Sequence, residues 1–521
     1  MRILKDINQI VYKVFLFVLS FSFSIIIISI IFNKSVYNYS SVTIISLFIS
    51  LTVIICLCYY LFLKKEAFFQ RHFNKTLIIF TLIMFSIQMI AGYSLRFEPV
   101  FDLEAIYQGA KQWASTGTFG TYSSGTCNEL YFYVFPNNLG GLAFLTLVFK
   151  LFSLLKISDT FAAAMIVNGL MAVGTMVITS LICKKLLGVR SAMIALLFFL
   201  ISPPFYFIAP VFYTDSLTMI FPAAAFYLFI LSREEKNRLK LALYYISISV
   251  IAAVGALIKF TVLIVIIAIL IFLMCKKSFR GFLAFGTTAV FIISAMIMGF
   301  NAYIYSNHLD KDIAKQTNAP YSYWLAVGFN GNGTFSNECY EIYDSIDDPE
   351  LRKTELNHFV VTKIRDLGVP GVFSLFNNKS VRAFGDGTYA LSDFLDDNPQ
   401  RTGKLHSFLL YDGEHYKSYQ TICSGIFAFI LILLVFSAIK KRKGSDEIPL
   451  SLIPQLCVFG LMLFLIVWEV NSRYITNFIP MIFICALCGI DSFYLLVKNL
   501  VLKCFYLIDK IISKRKARND S

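Results

Sequence analysis

Three carboxylates, Glu98, Asp102 and Glu104, stand close together in the stretch SLRFEPVFDLEAIYQGAKQW (94–113), directly after a long apolar run. A carboxylate there can cap a helix, meet the lipid headgroups, or take the proton of a hydroxyl presented to it. After Pro99 the spacing predicts a short amphipathic helix, with Asp102 as its N-cap and Ile106, Ala110 and Trp113 along one face. The catalytic candidates are Asp102 and Glu104, Tyr107 shares their helix as a binding candidate, and Glu98 reads as a surface charge.

Further candidates are scattered. In YFYVFPNNLGGLAFL (131–145), Asn137 and Asn138 can cap a helix that Pro136 opens, or hydrogen-bond a sugar beside the aromatic rings. Lys259 interrupts the apolar IKFTVLI, where a lysine must snorkel, pair or meet an anion. In WEVNSRYITNFIP (468–480), Glu469 and Arg473 are four apart and suit a helical pair; alternatively the Arg473 fork grips a phosphate. Trp324 follows Tyr323 at the head of a glycine- and asparagine-rich stretch, and Asp386 sits in a GDG turn, where turn chemistry is the plainer role. The five histidines have no metal-ligand spacing, and neither a P-loop nor a Ser/His/Asp pattern is present. No metal ligand set is expected; a divalent cation is allowed for but not required.

The elements that must carry these residues are membrane helices. Of the 521 residues, 57% are hydrophobic and 15% charged, against about 25% charged in soluble domains. Apolar runs recur at about 13–33, 41–63, 76–95, 137–156, 160–183, 190–209, 213–232, 241–258, 259–275, 282–305, 420–439, 450–468 and 474–496. Each suits a ~30 Å hydrocarbon core. The fold class is therefore an all-α polytopic membrane protein of about 12–13 transmembrane helices, with a juxtamembrane helix in the first catalytic loop and one large extracytoplasmic loop.

A net charge of +14 invites a nucleic-acid reading, but the basic residues sit in short loops and at the C-terminus: Lys64, Lys65, Arg71, Lys75; Lys276, Lys277, Arg280; Lys440 to Lys443; Lys514 to Arg518. That distribution reports orientation, with both termini and the basic loops cytoplasmic, and implies no nucleic-acid partner. The N-terminus reads as an uncleaved signal anchor in a bacterial plasma membrane. Residues 96–136 and 306–419 then share the extracytoplasmic face, the second being long enough to need structure of its own. The organisation is 1–75, an additional helix pair; 76–305, a core carrying the acidic loop 96–136; 306–419, the outer region; and 420–521, the last helices and a basic tail. Counting leaves one conflict. CKKLLGVR (183–190) and REEKNRLK (233–240) look cytoplasmic, yet two spans after 136 put the first outside. Either one segment is short or re-entrant, or the charge rule fails there. Cys127 and Cys339 fall in outer loops and are disulfide candidates, whereas Cys485 and Cys488 form a CxxC that reads as helix packing.

FDLE (101–104), FPNNLGG (135–141) and WEVNSRYITNFIP together resemble the GT-C superfamily of polytopic glycosyltransferases, which includes the protein O-mannosyltransferases and the aminoarabinose lipid A transferases. The similarity spans roughly residues 76–496, with two helices added before it and an Asp-x-Glu in place of an adjacent acidic pair. The resemblance implies a polyprenyl-phosphate sugar donor and inversion by single displacement, with Asp102 as base. Glu104 would assist, Lys259 and Arg473 would face the phosphate, and the acceptor would be a cell-wall glycopolymer, lipid or protein. Two rival readings are an O-antigen-type polymerase and a lipid-linked sugar flippase. The outer loop 306–419 has four arginines for the first, and spans nearly free of charge apart from Lys259, Asp215 and Asp491 disfavour the second.

Overall fold

The computed structural model describes residues 2–120, 130–396, 398–438 and 448–519. Among these the regular elements are helices, as a backbone in hydrocarbon must satisfy its own hydrogen bonds. The helices used below are α1 (Arg2–Phe32), α2 (Ser41–Lys64), α3 (Glu66–Ser94), α4 (Phe101–Thr116), α5 (Leu139–Leu154), α6 (Thr160–Leu187), α7 (Val189–Ile201) and α8 (Ile220–Ser232). They continue with α9 (Arg238–Ile258), α10 (Ile264–Cys275), α11 (Phe279–Asn307), α12 (Pro349–Gly385), α13 (Tyr416–Phe436), α14 (Leu452–Val467) and α15 (Ile479–Asn519).

Among the described residues ten helices are long and apolar enough to cross a membrane, and three shorter apolar ones accompany them: Val189–Ile201, Phe260–Cys275 and Leu452–Val467. They match the thirteen expected runs one for one. α3 starts earlier than hydropathy suggests, at Glu66, because the helix continues into the polar EAFFQRHFNK beyond its apolar part.

Ion pairs settle the middle of the chain. Lys185 Nζ lies 2.7 Å from Glu234 and Arg190 lies 3.4 Å from Glu66, so the turns before α7 and α9 share the face where α3 begins. At the other end of α3, Arg96 makes a two-pronged pair with Asp159 at 2.5 and 2.7 Å, and Asp159 caps α6 through the Ala162 N–H. The residues before α5 lie there too, since Asn138 reaches Asp102 through Tyr131. Both ends of α5 therefore lie on one face. The segment expected at 137–156 is long and apolar enough to span, but α5 lies along α4 with both ends on that one face and Leu147, Leu151 and Leu154 exposed, as an interfacial helix does. With α5 set aside, nine long helices and the three short ones remain as candidate crossings among the described residues, and on that count the charge conflict disappears.

Gly140 explains how α5 is seated. A Cβ there would lie 1.8 Å from the Leu257 carbonyl, so the glycine admits close contact with the end of α9, two residues before Lys259. After α7, Ser202, Pro203 and Pro204 end the helix. The open backbone that follows is held by buried amides: Asn168 donates to the carbonyls of Ile208, Ala209 and Val211, and Gln88 to Phe205. This broken segment delivers Tyr213 and Asp215 to the α5 face. Residues 308–415 add short helices and α12, which is interrupted at Gly368 (φ 59°) before Pro370. The N-terminal pair packs on this region: Ser29 donates to Asn377 at 3.0 Å and Tyr39 to the Gly385 carbonyl at 3.1 Å.

Candidate functional site

α4 begins with a strained residue, Phe101, at φ 51°. Its N-cap position is Val100, with no side-chain cap bond, so Asp102 does not cap the helix as expected. The half-buried Asp102 carboxylate instead accepts one hydrogen bond on each oxygen, from Tyr131 Oη at 2.6 Å and from Tyr213 Oη at 2.9 Å. Asn138 Nδ2 donates to the Tyr131 hydroxyl at 2.6 Å. Burial, reinforced by the Asp102 charge, pushes both phenols well above their ordinary value, so they stay protonated donors. A carboxylate has about four lone-pair positions, so two remain for another donor.

Tyr213 is shared. Its ring lies beneath Arg473, with the guanidinium carbon 5.1 Å from the centroid, while Phe394 and Tyr474 flank the same group at 5.2 and 5.4 Å. Arg473 Nε is 3.9 Å from Asp215, and Nη1 is 4.0 Å from Asp393. Asp215 also pairs with Lys259 at 2.8 Å, and Lys259 Nζ sits 4.4 Å over the Tyr474 ring. The side chains of Lys259 and Arg473 are about one fifth exposed, at 21% and 19%. Arg473 Nε is buried and makes no hydrogen bond among the described residues. Nearby, Glu469 is raised above the usual carboxylate range by burial, against the opposing pull of Arg473 and a hydrogen bond with Tyr474.

The Arg473 turn is anchored through its neighbours. Asn471 caps the Arg473 N–H at 3.1 Å and donates to Asp393 at 3.1 Å, while Tyr411 also donates to Asp393. Ser472 donates to Asp386 at 2.9 Å, and Asn477 bonds Thr261 at 2.9 Å. Asp386 thus performs turn chemistry, accepting from the Thr388 N–H and hydroxyl, and also ties the turn down. From outside the cluster, the fully buried Lys379 donates to the carbonyls of Gly328 and Trp468, both at 2.7 Å.

Asp102, Asn138, Lys259, Glu469 and Arg473 are therefore gathered. Trp324 borders the group, stacking on Trp468 (6.3 Å, 19°) and tilting against Phe135 at 6.0 Å. The remaining candidates lie differently. Tyr107 is turned into the core, with Phe149 at 5.7 Å and its hydroxyl on Thr160 at 2.8 Å. Asn137 is exposed and donates to Asn138 at 3.3 Å. Glu104, half-buried, is two residues beyond Asp102, a step of about 200° that points it away from Asp102. Sequence reasoning missed Tyr131, Tyr213, Asp393 and Tyr474 as site residues. Asp215 had a signal, because a carboxylate in an apolar run needs a partner and Lys259 was waiting for one. Cys339 is a buried free thiol, and Cys127 lies outside the described residues, as do Lys440 to Lys443. Among the described residues no cluster of three or more His, Cys, Asp or Glu is arranged to hold a metal.

A family model described as "conserved hypothetical integral membrane protein" matches residues 1–493. The chain belongs to that family. No curated protein matches the chain. Among solved structures it is similar to ArnT from Cupriavidus metallidurans in the apo state: 11% identity and a TM-score of 0.38 over 80% of this chain and 77% of that one. The undecaprenyl phosphate-bound form of ArnT gives 10% identity and a TM-score of 0.37 with the same coverage.

Proposed function

We propose that this integral membrane protein is a GT-C-type glycosyltransferase that moves a sugar from a polyprenyl-phosphate donor to an acceptor outside the cytoplasm. The acceptor class is a cell-wall glycan, a lipid or a protein. The observation that carries this reading is that Asp102 and Arg473 meet on the two sides of one side chain, Tyr213. A base and a cationic pair are thereby one ring apart at a membrane face. With the basic loops cytoplasmic, that face is the outer one.

In this reaction Asp102 accepts the proton of the acceptor hydroxyl as its oxygen bonds to the anomeric carbon. The bond from that carbon to the phosphate oxygen breaks, and polyprenyl phosphate leaves with the electron pair. Attack opposite the departing phosphate inverts the centre. Tyr131 and Tyr213 hold the carboxylate in one orientation. Asp215 pre-positions Lys259 and Arg473, whose remaining donors face the charge that develops on the phosphate. The lipid tail reaches the site sideways from the bilayer.

The test is transfer from a polyprenyl-phosphate sugar by purified wild type and Asp102→Asn, with melting curves to confirm folding. Removal of a general base predicts a loss of about 10²–10⁴ in kcat. Full transfer by the folded variant would refute the assignment. Movement of lipid-linked sugar across vesicles without transfer would favour a flippase instead.

A further inference from the structure

On the face opposite Asp102, α8 and α9 run side by side and join through the turn 233–237. Between them lies a cavity of about 220 Å³, lined by Leu228 of α8 and by Lys240, Leu243, Tyr244 and Ser247 of α9. Lys240, Tyr244 and Ser247 follow at spacings of four and three, so one side of α9 carries an amine and two hydroxyls. The surrounding surface is that of a lipid-facing helix, with Leu239 72% and Leu243 54% exposed. Polar groups directed at hydrocarbon are costly unless something polar meets them there.

The charges around this cavity favour an anion. Arg233, Lys236, Arg238 and Lys240 stand on or next to the turn. Its two acids are already engaged: Glu234 with Lys185, and Glu235 with the N–H groups of Lys236 and Asn237. From Lys240 to Ser247 the helix descends ~10 Å, which takes the polar stripe from phosphate level down past the glycerol. We propose that this groove binds an anionic glycerophospholipid, with its phosphate on Lys240, its glycerol and ester oxygens on Tyr244 and Ser247, and an acyl chain against Leu228 and Leu243. This site is independent of the proposed sugar transfer and lies at the other surface of the bilayer. Basic pockets between membrane helices are suited to such headgroups.

The experiment is native mass spectrometry of the delipidated full chain titrated with phosphatidylglycerol, phosphatidylcholine or inorganic phosphate. Phosphatidylglycerol should bind tighter than phosphatidylcholine, and Lys240→Gln should weaken it roughly five-fold, from ~1 kcal/mol per basic residue near the surface. Leu243→Trp, which fills the groove from its exposed side, should reduce the same binding, whereas Lys276→Gln on another basic turn should not. Equal binding of the two lipids overturns the proposal, as does phosphatidylglycerol affinity unchanged by Lys240→Gln. Competition by inorganic phosphate at equal affinity also overturns it, in favour of a soluble-anion site. Melting in phosphatidylcholine checks that each variant is folded. If Leu243→Trp does not fold, the Lys240→Gln comparison decides alone.

Discussion

Lys379→Met separates two effects that one buried lysine combines. Lys379 joins α12 to the turn bearing Glu469 and Arg473 by donating to the carbonyls of Gly328 and Trp468. Burial lowers it from an ordinary 10.5 to about 7, against the opposing pull of Glu469. Because the folded value lies below the unfolded one, the unfolded chain holds more protons between about 7 and 10.5, and stability rises with pH across that window. Below about 7 the charge-burial cost is fully present, on the order of 5 kcal/mol at about 1.4 kcal/mol per pH unit. Methionine removes that cost but deprives two carbonyls of a donor, at ~1–3 kcal/mol each. At pH 6 the two effects nearly cancel. From pH 7 to pH 9 the wild type should gain ~2 kcal/mol on the variant, seen as several degrees of widening between their melting temperatures in detergent. A gap that stays constant from pH 6 to pH 9 would refute the reasoning, since Lys379 would then be charged, or neutral, throughout.

Three further outcomes are expected. Tyr213→Phe keeps the ring beneath Arg473 but removes the donor to Asp102, so kcat should fall about ten- to hundred-fold with donor KM nearly unchanged; Tyr213→Leu should raise donor KM as well. Gly140→Ala puts a methyl into the Leu257 carbonyl and should lower stability by ~1–3 kcal/mol, read as a lower melting temperature. Asn137→Cys and Ser158→Cys flank α5 and should be labelled by an impermeant maleimide from the same side of the membrane. Labelling from opposite sides would restore α5 as a span.

The site was partly legible. Asp102, Lys259 and Arg473 stood out because charge beside apolar segments is costly and needs a reason, and their grouping on one face followed from counting spans. The tyrosines gave no such signal. In a chain with 28 of them, nothing local marks Tyr131 and Tyr213 as the pair that reaches one carboxylate. Asp102 looked like a cap because capping preference is local; the strained Phe101 and the approach of Tyr213 from a distant broken helix gave it another partner.

By itself the sequence determined the helical class, the number of apolar segments and the clustering of basic loops. Each of these depends on how residues are solvated, which composition records. Tertiary structure alone decided that α5 lies flat, since an apolar helix resting at the interface and one crossing the bilayer differ little in composition. It also decided the pairing of Asp215 with Lys259 and the meeting of Asp102 with Arg473 across Tyr213. Those contacts join segments more than 40 residues apart in sequence, and only the packing of helices and of the open backbone at 202–213 sets which of them touch.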